Sequence, residues 1–142
     1  MDKFKELKDG MLIGPQPTEQ DLQEAKQQGI KTVIDFRMSS ETPTPNAELV
    51  AKSGLDYASV PVDKASLNTN QIDELDRVMQ EKPGPYLIHC ATGARAATIL
   101  ALSKAKKHHW DAERTFQEAR AMGYDLKTSP EFSAFVAQAT AH

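Results

Sequence analysis

The sequence predicts a single α/β domain over residues 1–142, with a central, mostly parallel sheet and helices on both of its faces. Three observations carry that prediction. Short apolar runs of strand length alternate with longer amphipathic segments bounded by capping residues and glycines. Strands separated by helices are joined by crossovers, which favours parallel pairing and helical cover on both faces. No internal repeat, low-complexity tract or linker divides the chain, and 142 residues with 39% apolar content can bury one core without disulfides or a structural metal.

Met11-Leu12-Ile13 is a short apolar run closed by Gly14-Pro15, and it reads as the first strand. Thr18 has N-cap chemistry, Asp21 follows three residues later, and that helix stops at Gly29. Lys31 to Phe36 is β-branched and bounded, as a buried strand should be. Met38 to Asn46, with Pro43 and Pro45, reads as a surface loop. A helix from Ala47 to Ser53 ends at Gly54, and Tyr57 to Val62 makes the next strand. Asn68 and Gln71 form a capping box for a helix through Gln80, with Ile72, Leu75, Val78 and Met79 on one face. Pro83-Gly84-Pro85 breaks the chain before the strand Tyr86 to His89. A helix then runs from Arg95 to Lys107, Asp111 caps another that ends near Gly123, and Ser129-Pro130 opens the last.

Composition narrows the function classes. A formal net charge of -3 and a pI near 5.8 provide no general attraction to nucleic acid or anionic membrane. No apolar run approaches the roughly 18 residues of a membrane span. The N-terminal residues lack the apolar stretch of a signal peptide, so a cytoplasmic location is expected. The one cysteine excludes an intramolecular disulfide and a Cys-rich zinc site, and nothing in the pattern calls for a metal or cofactor. Lys104, Lys106, Lys107, His108 and His109 form a basic cluster. Cations at a helix C-terminus complement the dipole, and the same run can steer an anionic partner.

The chemistry concentrates at the end of the last strand, where α/β sheets bind ligands. Cys90 sits between the strand and a helix start, followed by the small residues Ala91, Thr92, Gly93 and Ala94. Their amides can turn inward as an anion nest, with Gly93 free to take a positive φ. The following helix adds its positive end, and Arg95 a planar fork of donors. The same field is expected to favour the thiolate. One loop thus supplies a nucleophile and a site for a tetrahedral anion. His89, one position earlier, should point to the opposite face, where it either fixes the loop or serves as a core histidine. Glu41, if its loop turns inward, would disfavour heavily charged substrates.

These features resemble the cysteine-dependent dual-specificity and tyrosine phosphatase superfamily: His89-Cys90 after a strand, Gly93 in the loop, Arg95, and an upstream loop aspartate. The closer resemblance is to the bacterial beta-lactamase-hydrolase-like, phosphatase-like domain family. It rests on Gly14-Pro15-Gln16-Pro17-Thr18, on Gly29-Ile30-Lys31-Thr32-Val33-Ile34-Asp35-Phe36-Arg37, and on His89-Cys90-Ala91-Thr92-Gly93-Ala94-Arg95-Ala96, and covers roughly residues 10–125. The resemblance implies a tyrosine-phosphatase-like fold, a phosphocysteine on Cys90, and phosphate held by Arg95 and the loop amides. It also implies a general acid, for which Asp63 in Val60-Pro61-Val62-Asp63-Lys64 is the candidate. Asp35 and Arg37, in a supporting role, either line the rim or form an ordinary structural ion pair.

Two departures keep other readings open. Four residues separate Cys90 from Arg95 where the usual phosphatase loop has five, and Ala96 replaces the hydroxyl residue after the arginine. Thr92 and Thr98 are the available substitutes for that hydroxyl. The shorter loop is similar to that of rhodanese-type sulfurtransferases, in which the cysteine carries a persulfide. Non-catalytic binding of an anion or phosphoprotein is the third reading. All three imply a small anionic or phosphorylated partner rather than nucleic acid or membrane. With one cysteine, resolving an oxidised or persulfidated Cys90 would need an external thiol.

Overall fold

The computed structural model describes residues 3–38, 41 and 46–141. Five strands occur among them: β1 (Lys5–Glu6), β2 (Leu12–Gly14), β3 (Thr32–Asp35), β4 (Asp56–Ser59) and β5 (Tyr86–His89). The six α-helices among them are α1 (Glu19–Gln27), α2 (Asn46–Lys52), α3 (Asn70–Glu81), α4 (Ala94–His108), α5 (Ala112–Ala121) and α6 (Pro130–Ala139). The strands lie in the order β1-β2-β5-β3-β4, all parallel except β1, which pairs antiparallel with β2. The predicted α/β class, with a mostly parallel sheet, is the class observed.

Successive residues of a strand face opposite sides, and this period of two divides the core. Leu12, Val33 and Leu87 turn toward Leu22 and Ala25 of α1 and Val50 of α2. Ile13, Ile34 and Ile88, which are register neighbours across β2, β5 and β3, turn the other way. There they meet Leu75 of α3, Ile99 and Leu100 of α4, Phe116 of α5 and Phe135 of α6. Helix α4 is buried from Ala96 through Leu102, and its alanines at 96, 97 and 101 are small enough to allow that close approach.

Most local signals act as predicted. Thr18 and Asp21 form a reciprocal capping box, Asp111 accepts from the Arg114 amide, and Ser129 caps α6 with Pro130 in its first turn. Helix α3 has Thr69 at its N-cap where the sequence predicts Asn68, because the box is only half closed. Gln71 accepts from the Asn68 amide, but Asn68 Oδ1 accepts from the Asn70 amide in a tight local turn. Strand β4 ends at Ser59. Beyond it the Val60 and Val62 amides still reach Asp35 and Phe36 carbonyls at 2.9 and 3.0 Å, so both valines stay buried without extending the ladder. The two-residue β1 is too short to leave a period in the sequence. Of the predicted loop Met38 to Asn46, residues 39–40 and 42–45 lie outside the described residues. No helix among the described residues is long and apolar enough to cross a membrane.

Candidate active site

Cys90 follows β5 directly and is fully buried. Gly93 then takes φ +101° and hands the chain to α4, whose first residue is Ala94. An L side chain rarely adopts that φ, and a Cβ at Gly93 would collide with Tyr124 Oη. Both constraints demand glycine. The turn aims the Gly93 amide at Cys90 Sγ, at 3.0 Å. Tyr124 Oη donates to the Thr92 carbonyl at 3.0 Å, and the Phe36 amide donates to the His89 carbonyl at 2.8 Å, so the loop is fixed from both ends. Thr98 donates its hydroxyl to the Ala94 carbonyl at 2.8 Å, within its own helix. Of the two candidate hydroxyls, Thr92 alone belongs to the loop.

Arg95 sits in the first turn of α4, is hydrogen-bonded to Cys90, and makes three further contacts. Nη1 donates to Glu41 Oε2 at 2.7 Å and to the Val62 carbonyl at 3.0 Å, and Nη2 donates to Glu41 Oε1 at 2.6 Å. A guanidinium has five N–H donors in one plane. Those three contacts consume the end facing Glu41 and the outer Nη1 hydrogen. Nε–H and the second Nη2 hydrogen lie together on the remaining edge, a second fork suited to an oxyanion. Hydrogen bonding from Arg95, and secondarily from the Met38 amide, holds the Glu41 carboxyl at about 2. Glu41 in turn raises the Arg95 pKa, and its interaction with Cys90 adds to the rise. Glu41 itself therefore points inward, and its carboxylate grips the arginine.

Asp63 caps the short 3-10 turn Lys64–Ser66, accepting from the Ala65 amide at 2.9 Å. Its preceding residue, Val62, supplies the carbonyl that Arg95 holds, so the backbone brings Asp63 within one residue of the arginine.

Asp35, Arg37 and His89 lie behind the loop, at 1%, 3% and 0% exposure. Asp35 accepts from the Arg37 amide at 2.9 Å and from Arg37 Nε and Nη2 at 3.1 Å each. Tyr57 Oη also donates to it, at 3.0 Å. Of the two readings for this pair, buried structural ion pair or pocket rim, the burial supports the first. Burial pushes the Asp35 carboxyl up, but the Arg37 hydrogen bonds and nearby positive charge outweigh it and leave it below its usual value. Tyr57 is pushed to about 12, by burial first and then by the Asp35 charge. His89 Nδ1 lies 3.4 Å from the Cys90 carbonyl and 3.8 Å from Asp35 Oδ1. Burial, reinforced by the Arg37 charge, lowers His89 to about 4 against the pull of Asp35, so this imidazole is neutral at neutral pH.

That depressed value makes a stability prediction. The unfolded chain binds a proton at His89 near pH 6.5, where the folded protein does not. The stabilisation is complete above that pH and is lost as pH falls toward 4, by about 3 kcal/mol over the interval. Guanidinium titrations at about pH 7 and about pH 4.5 should show a clear drop in the unfolding free energy. Equal stability at the two would mean that His89 is protonated in the fold.

Tyr124 and the Val62 carbonyl are the parts of this site that no local pattern marks out, and the pairing of Glu41 with Arg95 is not marked out either. Tyr124 stands beyond α5 and has its pKa raised by burial first and then by its interaction with Cys90, yet it is 34 residues from that cysteine in sequence.

The model of the family described as beta-lactamase hydrolase-like protein, phosphatase-like domain, matches residues 3–107. The chain belongs to this family. The beta-lactamase hydrolase-like protein of Xylella fastidiosa (strain Temecula1) is 27% identical over 129 residues. The match covers 87% of this chain and 30% of that protein, so the domain spans under a third of the curated relative. Among solved structures, a candidate phosphatase of Neisseria meningitidis z2491 superposes with a TM-score of 0.80 at 22% identity, over 98% of this chain and 99% of its own. P. aeruginosa TpbA, captured with phosphotyrosine, superposes with a TM-score of 0.70 at 18% identity, over 89% of this chain and 77% of its own. The fold of this phosphatase-like domain is therefore shared with both of these proteins.

Proposed function

We propose that the domain is a cysteine-dependent phosphatase that hydrolyses phosphomonoesters through a phosphocysteine on Cys90. The observation that carries this reading is a convergence: the Gly93 amide at 3.0 Å from Sγ, the N-terminus of α4, and the guanidinium of Arg95, which is coupled to Cys90 by charge and hydrogen bond, all serve one sulfur. The Cys90 thiolate attacks phosphorus while the leaving oxygen takes a proton from Asp63. Arg95 and the loop amides hold the non-bridging oxygens as charge builds on them. Water then attacks the phosphocysteine, Asp63 accepts its proton, and sulfur leaves as thiolate toward the Gly93 amide. Glu41 and the Val62 carbonyl keep the arginine's free edge in place. Phosphotyrosine bound to TpbA makes aryl phosphates the first substrates to try.

Phosphate release from para-nitrophenyl phosphate by reduced protein tests the reading. Turnover is the expected result. Asp63→Asn should lower it by roughly 10²–10⁴-fold, because a phenolate must then leave unprotonated. A rate equal to that of the parent would place the acid elsewhere.

One observation favours sulfur transfer as the second reading. The loop has only four residues between Cys90 and Arg95, and it brings an amide onto the sulfur itself, a ring suited to a single sulfane sulfur. Cys90 thiolate would take the outer sulfur of thiosulfate, release sulfite, and pass the persulfide sulfur to an external thiol or cyanide. Thiocyanate formation without phosphate release would transfer the assignment to this chemistry.

A further inference from the structure

Two grooves meet along the N-terminal hairpin, away from the sulfur. The larger, about 610 Å³, has Met11, Leu100 and Met122 in its apolar lining and reaches Trp110. The smaller, about 280 Å³, shares Lys5 and Met122 with it and reaches Tyr124. Tyr124 is the residue whose hydroxyl holds the Thr92 carbonyl of the Cys90 loop. The combined trough leads from the edge of that loop to the indole of Trp110.

Its charge is reversed relative to the chain. Six Lys or Arg and three Asp or Glu line the two grooves, whereas the whole sequence has 17 and 20. Two of the three carboxylates are already engaged. Glu118 pairs with Lys104 at 3.1 Å and Arg114 at 3.3 Å, and Asp9 accepts from the Met11 amide at 3.4 Å. Lys5, Lys8 and Lys107 are exposed and have no carboxylate partner among the described residues. At the far end Arg114 lies over the Trp110 ring, 4.1 Å from its centroid, and His108 stacks on it at 5.4 Å, which steadies the indole as a wall.

We propose that this trough binds an extended acidic segment of a partner protein and leads it toward the Cys90 loop. Three unpaired lysines above an apolar floor match carboxylate side chains alternating with apolar ones. The apolar floor has nothing to match in the evenly charged backbone of a nucleic acid. The proposal goes beyond the phosphatase reading and does not depend on it. Where both hold, the preferred substrate is a phosphorylated segment with acidic neighbours.

Trp110 is the sole tryptophan, so its emission reports the trough directly. Titration with a peptide of alternating glutamate and valine should give a saturable emission change that weakens as salt rises and the charges are screened. The variant Lys5→Glu/Lys8→Glu/Lys107→Glu should bind at least about tenfold more weakly while keeping its circular dichroism and Tm. No saturable change, unaltered affinity in the triple variant, or equal competition by a DNA oligonucleotide would overturn the proposal. Peptide binding by protein that releases no phosphate would uphold it and refute only the catalytic reading.

Discussion

Replacement of Cys90 by serine is expected to abolish phosphate release, with a loss of about 10⁵-fold or more, and to leave the fold standing. A serine hydroxyl is a nucleophile only when a base removes its proton. The loop offers none in that step: His89 is buried behind the loop beside the Cys90 carbonyl and Asp35, and Asp63, the proposed acid, carries its proton for the leaving oxygen when the nucleophile attacks. A hydroxyl can still accept the Gly93 amide and fits the space of the larger sulfur, so the change in stability should stay within about 1 kcal/mol. Steady-state turnover and thermal unfolding of the two proteins check both halves. Turnover equal to that of the parent would remove Cys90 from the chemistry altogether.

The elements that the sequence made legible are those whose signals are local. The capping box of Thr18 and Asp21, the Asp111 cap, the Ser129-Pro130 start and the β-branched run of β3 are all determined within a few residues, and each forms where expected. Gly93 belongs with them, because only a positive φ lets so short a loop turn its amide back to the sulfur. The partners of Arg95 are a different case. Glu41 lies 54 residues from it and Val62 33, and no periodicity spans such a gap. What sequence does show is an acidic residue in a proline-bearing loop after β3, which leaves its direction open. Tyr124 was hidden for the same reason. An aromatic after a helix-ending glycine normally packs into a core, and only the tertiary fold lays it across Gly93. For Asp35 and Arg37 the residue types fitted both a rim and an internal pair, and burial, which sequence does not report, favours the internal pair.

Asp35→Ala should destabilise the protein by about 3–5 kcal/mol, lowering its Tm by about 10–15 °C. The cost arises from what remains. The Arg37 side chain is 2% exposed, and without Asp35 its guanidinium is a buried charge that has lost the carboxylate holding Nε and Nη2. The Tyr57 hydroxyl loses its acceptor as well. An exposed pair provides the contrast: Lys106 meets Asp73 and Asp76 with 58% of its side chain in solvent, and Lys106→Ala should cost under about 1 kcal/mol. Removing the stranded charge isolates the mechanism. Asp35→Ala/Arg37→Met should recover part of the loss, because two apolar side chains no longer demand solvation, and denaturant titration of the parent, Asp35→Ala, Arg37→Met and the double variant measures the coupling directly. If the double variant is less stable than Asp35→Ala, Arg37 is contributing through its packing and its own hydrogen bonds rather than penalising the fold as an unpaired cation. The pair also bears on the site. Asp35 faces His89 in the register of β3 and β5, and Cys90 is the next residue, so loosening the pair loosens the strand end from which the sulfur is presented.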